Sequence, residues 1–417
     1  MNHHRKMLVV ALMGVTSGSY AQTNVTIYGV TDVSAQGFSL MAGKAGNYSA
    51  TSGKPAEGNT FNLQSNSSLL GFKGDENLGN GLKALFQAET TLNMVGGGAV
   101  RVNDGTLFGG MRDSFVGLSG SYGVLRAGYN STPFRAAVTS MDVMPGATGS
   151  SDITKMIGNM RFAQRSLTGS NSSTKSQAYD SAIRATSLLY TTPTYLGFNG
   201  SVAYTGSNNN GTTNTTDATV CGAAGVPSRS ACTVSPQSAW GFGLAWEGYG
   251  VNVKGAFQQS NFHLTPNPLT NVHNTGDYTS FLVGASYTGV PGLKLGTLYV
   301  RNNLQSNGPS NIATGAKILS NNQLWVGASY RLGEHEPRIS AVWNSNINGG
   351  DDGQLGARQW NLNWGYYLSK RTQIYSVVSY LDNSANQNYT FGQQSNNLKP
   401  TGGQNMLTYG TGIRSTF

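Results

Sequence analysis

The chain has 417 residues, a formal charge of +9 at pH 7, 56 glycines and 20 tyrosines, yet only 11% charged side chains. That is less than half the charge of an ordinary soluble domain, while a mean hydropathy of −0.28 and the lack of a long apolar run exclude a helical membrane protein. A transmembrane barrel reconciles the two facts, because only every second strand residue meets lipid and the average stays polar.

The first segment is for targeting. Arg5 and Lys6 precede the apolar stretch Met7 to Val15, and Ser19-Tyr20-Ala21 supplies a small-x-small site. The pattern predicts a secretory signal peptide over residues 1–21, cut before Gln22. Its removal takes away two of the 27 basic residues and leaves 25 against 18 acids, a charge of +7. Residues 22–417 show no Pro-rich linker and no shift in composition, so they are read as a single domain.

Strand one is predicted to start near Val25. Short turns then recur at Asp75 to Gly81, Gly120 to Gly123, Tyr195 to Gly197, Glu247 to Gly250, Gly289 to Gly292, Gly333 to Pro337 and Ser369 to Arg371. Between them lie long stretches rich in Asn, Ser, Thr and Gly, such as Gly206 to Gln237 and Asn383 to Gln404. The intervening segments alternate. Phe281, Val283, Ala285 and Tyr287 interleave with Leu282, Gly284 and Ser286; Leu324, Val326, Ala328 and Tyr330 with Trp325, Gly327 and Ser329. Trp360, Leu362, Trp364, Tyr366 and Leu368 do the same against Asn361, Asn363, Gly365 and Tyr367. Extended backbone puts such sets on opposite faces. Leu407, Tyr409, Thr411, Ile413, Ser415 and Phe417 share one face of the last strand, Asn405 to Phe417, and Phe417 fits an interfacial girdle. Pairing each turn with its strands gives about sixteen, and short turns alternating with long loops are the mark of an all-β outer-membrane barrel.

These residues resemble the general porins of Gram-negative bacteria, of the β-proteobacterial and neisserial type. Val25-Thr26-Ile27-Tyr28-Gly29-Val30-Thr31-Asp32 is similar to that family's first strand, and Leu70 through Glu89, with Gly71-Phe72-Lys73-Gly74-Asp75-Glu76-Asn77-Leu78-Gly79, to its second hairpin. Arg112 to Leu118, Gly123 to Pro133, Arg184 to Tyr190, Val290 to Leu293, Leu368 to Thr372 and Gly412 to Phe417 carry the likeness to the end. The resemblance implies a homotrimer of 16-stranded antiparallel β-barrels in the outer membrane. It also implies a third loop, about 131–180, folded inward to narrow each lumen.

No catalytic group or cofactor is needed for passive diffusion of small hydrophilic solutes and ions. The wall residues nominated by alternation are Lys73, Lys83, Gln87 and Glu89. Arg112, Arg126 and Arg184 lie on strands beside the third loop, where the resemblance implies a basic cluster facing loop acids, Asp142 first and Asp152 second. Two departures stand out: Leu69 and Tyr129 occupy positions where the family commonly has arginine. Mild anion preference is the reading for the charge balance; a solute-specific channel with a modified constriction is the alternative. Cys221 and Cys232, in one long loop of an exported chain, are expected to form a disulfide. His3, His4, His263, His273 and His335 make no metal pattern, no phosphate loop follows Gly96-Gly97-Gly98, and dispersed charge gives no nucleic-acid motif. Lipid and lipopolysaccharide complete the expected partners.

Overall fold

The computed structural model describes residues 24–41, 43–44, 58–95, 107–144, 149–164, 175–206, 234–264, 274–306, 318–349, 354–391, 400 and 403–417. The signal segment and both cysteines lie outside the described residues.

The first strands are β1 (Asn24–Leu40), β2 (Gly58–Ser65), β3 (Leu69–Gly79), β4 (Leu82–Leu92), β5 (Phe108–Met111), β6 (Ser114–Gly120) and β7 (Gly123–Ser131). An inserted segment then carries the helix α1 (Pro133–Met141) and a hairpin of β8 (Asn159–Gln164) with β9 (Lys175–Asp180). The sheet resumes with β10 (Arg184–Thr191), β11 (Phe198–Thr205), β12 (Val234–Gly248), β13 (Val251–Leu264), β14 (Asn274–Tyr287) and β15 (Leu293–Ser306). It ends with β16 (Ile318–Tyr330), β17 (His335–Asn344), β18 (Ala357–Tyr367), β19 (Thr372–Asn383) and β20 (Met406–Thr416).

Eighteen of these strands form one antiparallel sheet. Because β2 and β3 both pair with β1, and β5 and β6 both pair with β4, each duo is a single crossing with a break. The chain therefore makes sixteen crossings. Pairing of β1 with β20, from Val30↔Thr416 to Leu40↔Met406, seals the cylinder. Backbone bonds between Gly29 and Phe417, 3.0 and 3.1 Å, finish the seam. Closure is obligatory, since an unpaired strand edge in hydrocarbon leaves backbone groups with no partner.

Burial follows the two-residue period. In β18, Gln359, Asn361 and Asn363 are buried inside while Trp360, Leu362, Trp364 and Tyr366 are exposed outside. Tight turns sit where the sequence places them. Asn80 and Gly81, with φ of 52° and 77°, make the left-handed pair that a two-residue hairpin requires. Two predicted turns are shorter than expected: β3 runs through Asp75 to Gly79, and Pro337 lies within β17.

The inserted segment lies inside the cylinder, with α1 packed mainly against β12, β13 and β14. Thr132 caps α1, its Oγ1 accepting the Arg135 amide at 3.3 Å, and Pro133 occupies the first turn where its missing N–H costs nothing. Phe134, Val138 and Met141 share the face that packs, fully buried, against the inward residues Leu282, Leu298 and Trp325. Burial of side chains of this size contributes about 1.5–3 kcal/mol apiece. Polar ties continue the attachment: Gln323 Oε1 accepts the Gly158 amide at 2.7 Å, Tyr278 donates to the Gly158 carbonyl at 3.1 Å, and Asn344 donates to the Met156 carbonyl at 3.3 Å. A second loop joins it from above. Tyr389 and Phe391 are buried, and the Tyr389 hydroxyl donates to the Asn159 carbonyl at 2.7 Å.

Candidate functional site

With the far wall covered, open lumen remains along β1, β3, β4, β6 and β7. Inward parity there belongs to Tyr28, Lys73, Gln87, Glu89 and Arg126. Glu89 is the hub: its Oε1 accepts from Arg112 Nε at 2.5 Å and its Oε2 from the Tyr28 hydroxyl at 3.1 Å. The break between β5 and β6 frees Arg112 and Asp113 from the ladder. Asp113 accepts the Ser131 amide at 2.5 Å, the Ser131 hydroxyl at 3.1 Å and Arg184 Nε at 3.3 Å, and so pins the root of the inserted loop.

Two cations differ from these. Lys73 Nζ stands 5.1 Å from the centre of the Tyr28 ring, and the Arg126 guanidinium 4.6 Å from that of Phe115. Among the described residues neither has a carboxylate partner at ion-pair distance. Cation–π contact orients such a group while leaving its charge available.

From the loop side comes Arg135, whose Nη1 donates to the Ala182 carbonyl at 2.6 Å. Burial lowers its pKa, and the like charges of Arg184 and Arg112 add to the depression, so the three arginines form one electrostatic group. Asp152 and Asp180 balance them. Although burial pushes Asp152 up, Lys155 and Arg135 hold it below its ordinary value; burial raises Asp180 to about 6.

The structure brings Lys73, Glu89, Arg112 and Arg126 to the open side. Arg184 departs from expectation: it shares parity with the exposed Thr186 and Leu188, and its guanidinium is engaged by Asp113 at the strand edge. Lys83 sits beside the Asn80-Gly81 turn, paired with Asp75 at 2.8 Å, near the mouth. Asp142 does not face the arginines. It ends α1, its Oδ1 accepting the Met144 amide at 3.0 Å, and its carbonyl holds Lys294 of the covered wall. Burial raises its pKa to about 7. Leu69 has inward parity with Gly71 and Lys73, and Tyr129 outward parity with Leu125 and Ala127. Sequence reasoning missed Tyr28, Asp113 and Arg135, and also Lys254 and Lys294, which hold the Ser140 hydroxyl at 2.8 Å and its carbonyl at 3.4 Å. Strand parity alone nominates the two lysines as inward.

A family model for Gram-negative porins matches residues 8–386. Among curated proteins, the major outer membrane protein P.IB of Neisseria gonorrhoeae is 28% identical over 207 residues, 49% of this chain and 50% of that protein. The chain thus aligns with about half the length of this relative. Among solved structures, an anion-selective porin from Comamonas acidovorans superposes with a TM-score of 0.63 at 21% identity, covering 95% of this chain and 100% of that one. The trimer form of OmpT from Vibrio cholerae gives 0.55 at 13% identity, covering 95% and 99%.

Proposed function

The chain belongs to the Gram-negative porin family and is an outer-membrane channel, and from that premise we propose that its lumen passes small hydrophilic solutes with a mild preference for anions. The observation that carries the preference is the asymmetry of pairing. Glu89 and Asp113 are each held by an arginine, whereas Lys73 and Arg126 rest on aromatic faces without a counter-ion among the described residues. A permeating anion can occupy that place. Low-dielectric walls focus the field of these two charges, that of Arg126 partly offset by Asp113 nearby, onto the open part of the lumen.

Arg112, Arg135 and Arg184 supply the background, attenuated by Glu89, Asp113, Asp152 and Asp180. The anion selectivity in the name of the Comamonas neighbour agrees with this direction. Assembly as a homotrimer is part of the proposal, supported by the trimeric neighbour. So are cleavage before Gln22, a Cys221–Cys232 bridge, and Phe417 as the terminal element recognised in barrel assembly.

Reversal potentials across planar bilayers in a salt gradient test the selectivity. Wild-type protein is expected on the anion side. Arg126→Glu changes the local charge by two units, each worth about 1 kcal/mol at close range in a water-like medium, and should lower the anion-to-cation permeability ratio about fivefold or more. Cation preference in the wild type, or no shift in the variant, ends the proposal.

A further inference from the structure

Among the described residues the hairpin of β8 and β9 is a sheet of its own, joined to no strand of the barrel wall. A two-stranded ribbon is marginal by itself, and the edge of β8 turned away from β9 carries backbone groups that need partners. Residues 384–391, between β19 and β20, form a strap that supplies them. The strap is folded into the cylinder, with Ala385, Gln387, Tyr389 and Phe391 buried. Asn383, at the end of β19, closes it. Its Oδ1 accepts the Tyr389 amide at 3.0 Å, and its Nδ2 donates to the Tyr389 and Gln404 carbonyls at 3.0 and 2.9 Å.

Two strap side chains act where a third strand would. Gln387 Nε2 donates to the Arg161 carbonyl at 2.7 Å, and the Tyr389 hydroxyl accepts the Arg161 amide at 3.3 Å. The same hydroxyl donates to the Asn159 carbonyl at 2.7 Å, which also accepts Gln323 Nε2 from the wall at 2.7 Å. Asn159 and Arg161 are two residues apart, so their backbone groups point to one edge of the extended chain. Gln387 is tied at its other side as well, Nε2 donating to the Leu355 carbonyl at 2.5 Å. The wall thus holds the start of β8, and the strap holds the next step along it.

What the hairpin carries makes this attachment matter. Asn159 faces Asp180 in the β8–β9 register. Asp180 Oδ1 accepts the Ala182 amide at 2.7 Å, and the Ala182 carbonyl holds Arg135 Nη1 at 2.6 Å. Asp180 offsets the charge of Arg135 from that position. We propose that Gln387 and Tyr389 are positioning residues for permeation: they seat the hairpin, hold Asp180 against the Ala182–Arg135 contact, and so set how much positive charge the inserted loop shows to passing ions. This deepens the channel reading and rests on it. The helix α1 has its own apolar seat, so releasing the strap leaves Lys73 and Arg126 in the path and alters the charge contributed by the loop.

Gln387→Met with Tyr389→Phe removes the strap's donors at nearly constant volume. The measurement is the reversal potential of the full chain in planar bilayers at pH 8, above the Asp180 value of about 6. Q387M/Y389F is expected to raise the anion-to-cation permeability ratio about twofold, the effect of one uncovered charge in a water-like medium. Asp180→Asn alone should raise it by a similar factor. Added to Q387M/Y389F, D180N should change little further, because groups acting through one contact are not additive. An unchanged reversal potential in channel-forming Q387M/Y389F would overturn the assignment. So would a full additional step from D180N, or a ratio that falls while conductance rises, the mark of a merely loosened loop. If Q387M/Y389F forms no channels, Tyr389→Phe alone, which deletes one hydroxyl, carries the test with the same sign and the same lack of additivity. Cation preference in the wild type would remove the proposed selectivity, whereas a shift toward anions on cutting the strap would still support its role.

Discussion

The two halves of the barrel wall use the same inward positions for opposite ends. Along β13 to β19 the inward side chains include Ala256, Leu282, Leu298, Val300, Trp325, Val342 and Leu381, all buried in one apolar cluster with residues of the inserted loop and with Tyr389 and Phe391. Along β1 to β7 the inward positions carry the charged and hydroxyl groups Tyr28, Asp32, Lys73, Glu89 and Arg126, among the apolar Leu69, Leu85 and Phe115, and only Phe38 and Leu40 at the far end of β1 join the buried cluster. A barrel interior is thus not uniformly wet. One side is a protein core built inside the cylinder, and under the proposed function the other side is the water path. Constriction here is a packing property before it is an electrostatic one.

Breaking that core should have the largest effect. Trp325 is fully buried under the loop, and Trp→Ala at such a site costs about 3–5 kcal/mol. The sixteen-crossing sheet has its own hydrogen bonds and should survive, while the loop loses its anchor. Trp325→Ala is expected to raise single-channel conductance and to reduce ion selectivity together, since solutes then bypass Lys73 and Arg126. Unchanged conductance in a folded variant would mean that the polar ties through Gln323, Tyr278 and Asn344 hold the loop without the core.

The contrast also explains what the sequence could reveal. Alternation, turn chemistry and strand count made the cylinder legible, because lipid outside and water inside impose one rule on every strand. The rule weakens where a third partner enters. Leu282 and Trp325 are apolar yet inward, since what they face is Phe134, Val138 and Met141 rather than water. No strand pattern can announce this. The helix itself carried a signal in Thr132-Pro133, a cap followed by a first-turn proline. Asp142 was the natural choice of loop acid by position, but a carboxylate just past a helix end is drawn to the free amide two residues on. Asp152 and Asp180, set by the loop's return path, are the acids that reach Arg135. Side chains at Arg112 and Asp113 depended on a strand break that composition did not mark.

Protonation offers a smaller lever on the covered half. The Asp142 carboxyl is raised by burial to about 7, with Lys294 opposing that shift. A carboxyl raised on folding binds its proton more tightly in the native state, so native packing is favoured below the ordinary carboxylate range and weakens as pH rises toward and through 7. Loop excursions, seen as open-channel noise and brief conductance steps, should therefore become several-fold more frequent between pH 5 and pH 8. Asp142→Asn should flatten that profile, leaving only the contribution of Asp180, whose carboxyl is raised to about 6. Identical profiles in the two proteins would place the sensitivity elsewhere.

The smallest effect should come from the open half, at Lys83. It shares inward parity with Glu89, yet it lies two residues from the Gly81 turn, where its ammonium meets Asp75 at 2.8 Å with both side chains well exposed. An exposed pair of this kind contributes about 0–1 kcal/mol and is screened by salt. Lys73 differs in depth rather than in charge. It pairs with Gln87 in the register, farther from the mouth, and rests on Tyr28 without an acid. Lys83→Ala should leave the melting temperature and the reversal potential nearly unchanged, whereas Lys73→Ala should move the reversal potential toward zero. Comparing the two at low and high salt sharpens the distinction, because screening erases the Lys83 effect first. Equal shifts from both substitutions would show that the field is set along the whole open wall, and that the pairing of individual charges does not decide which ions pass.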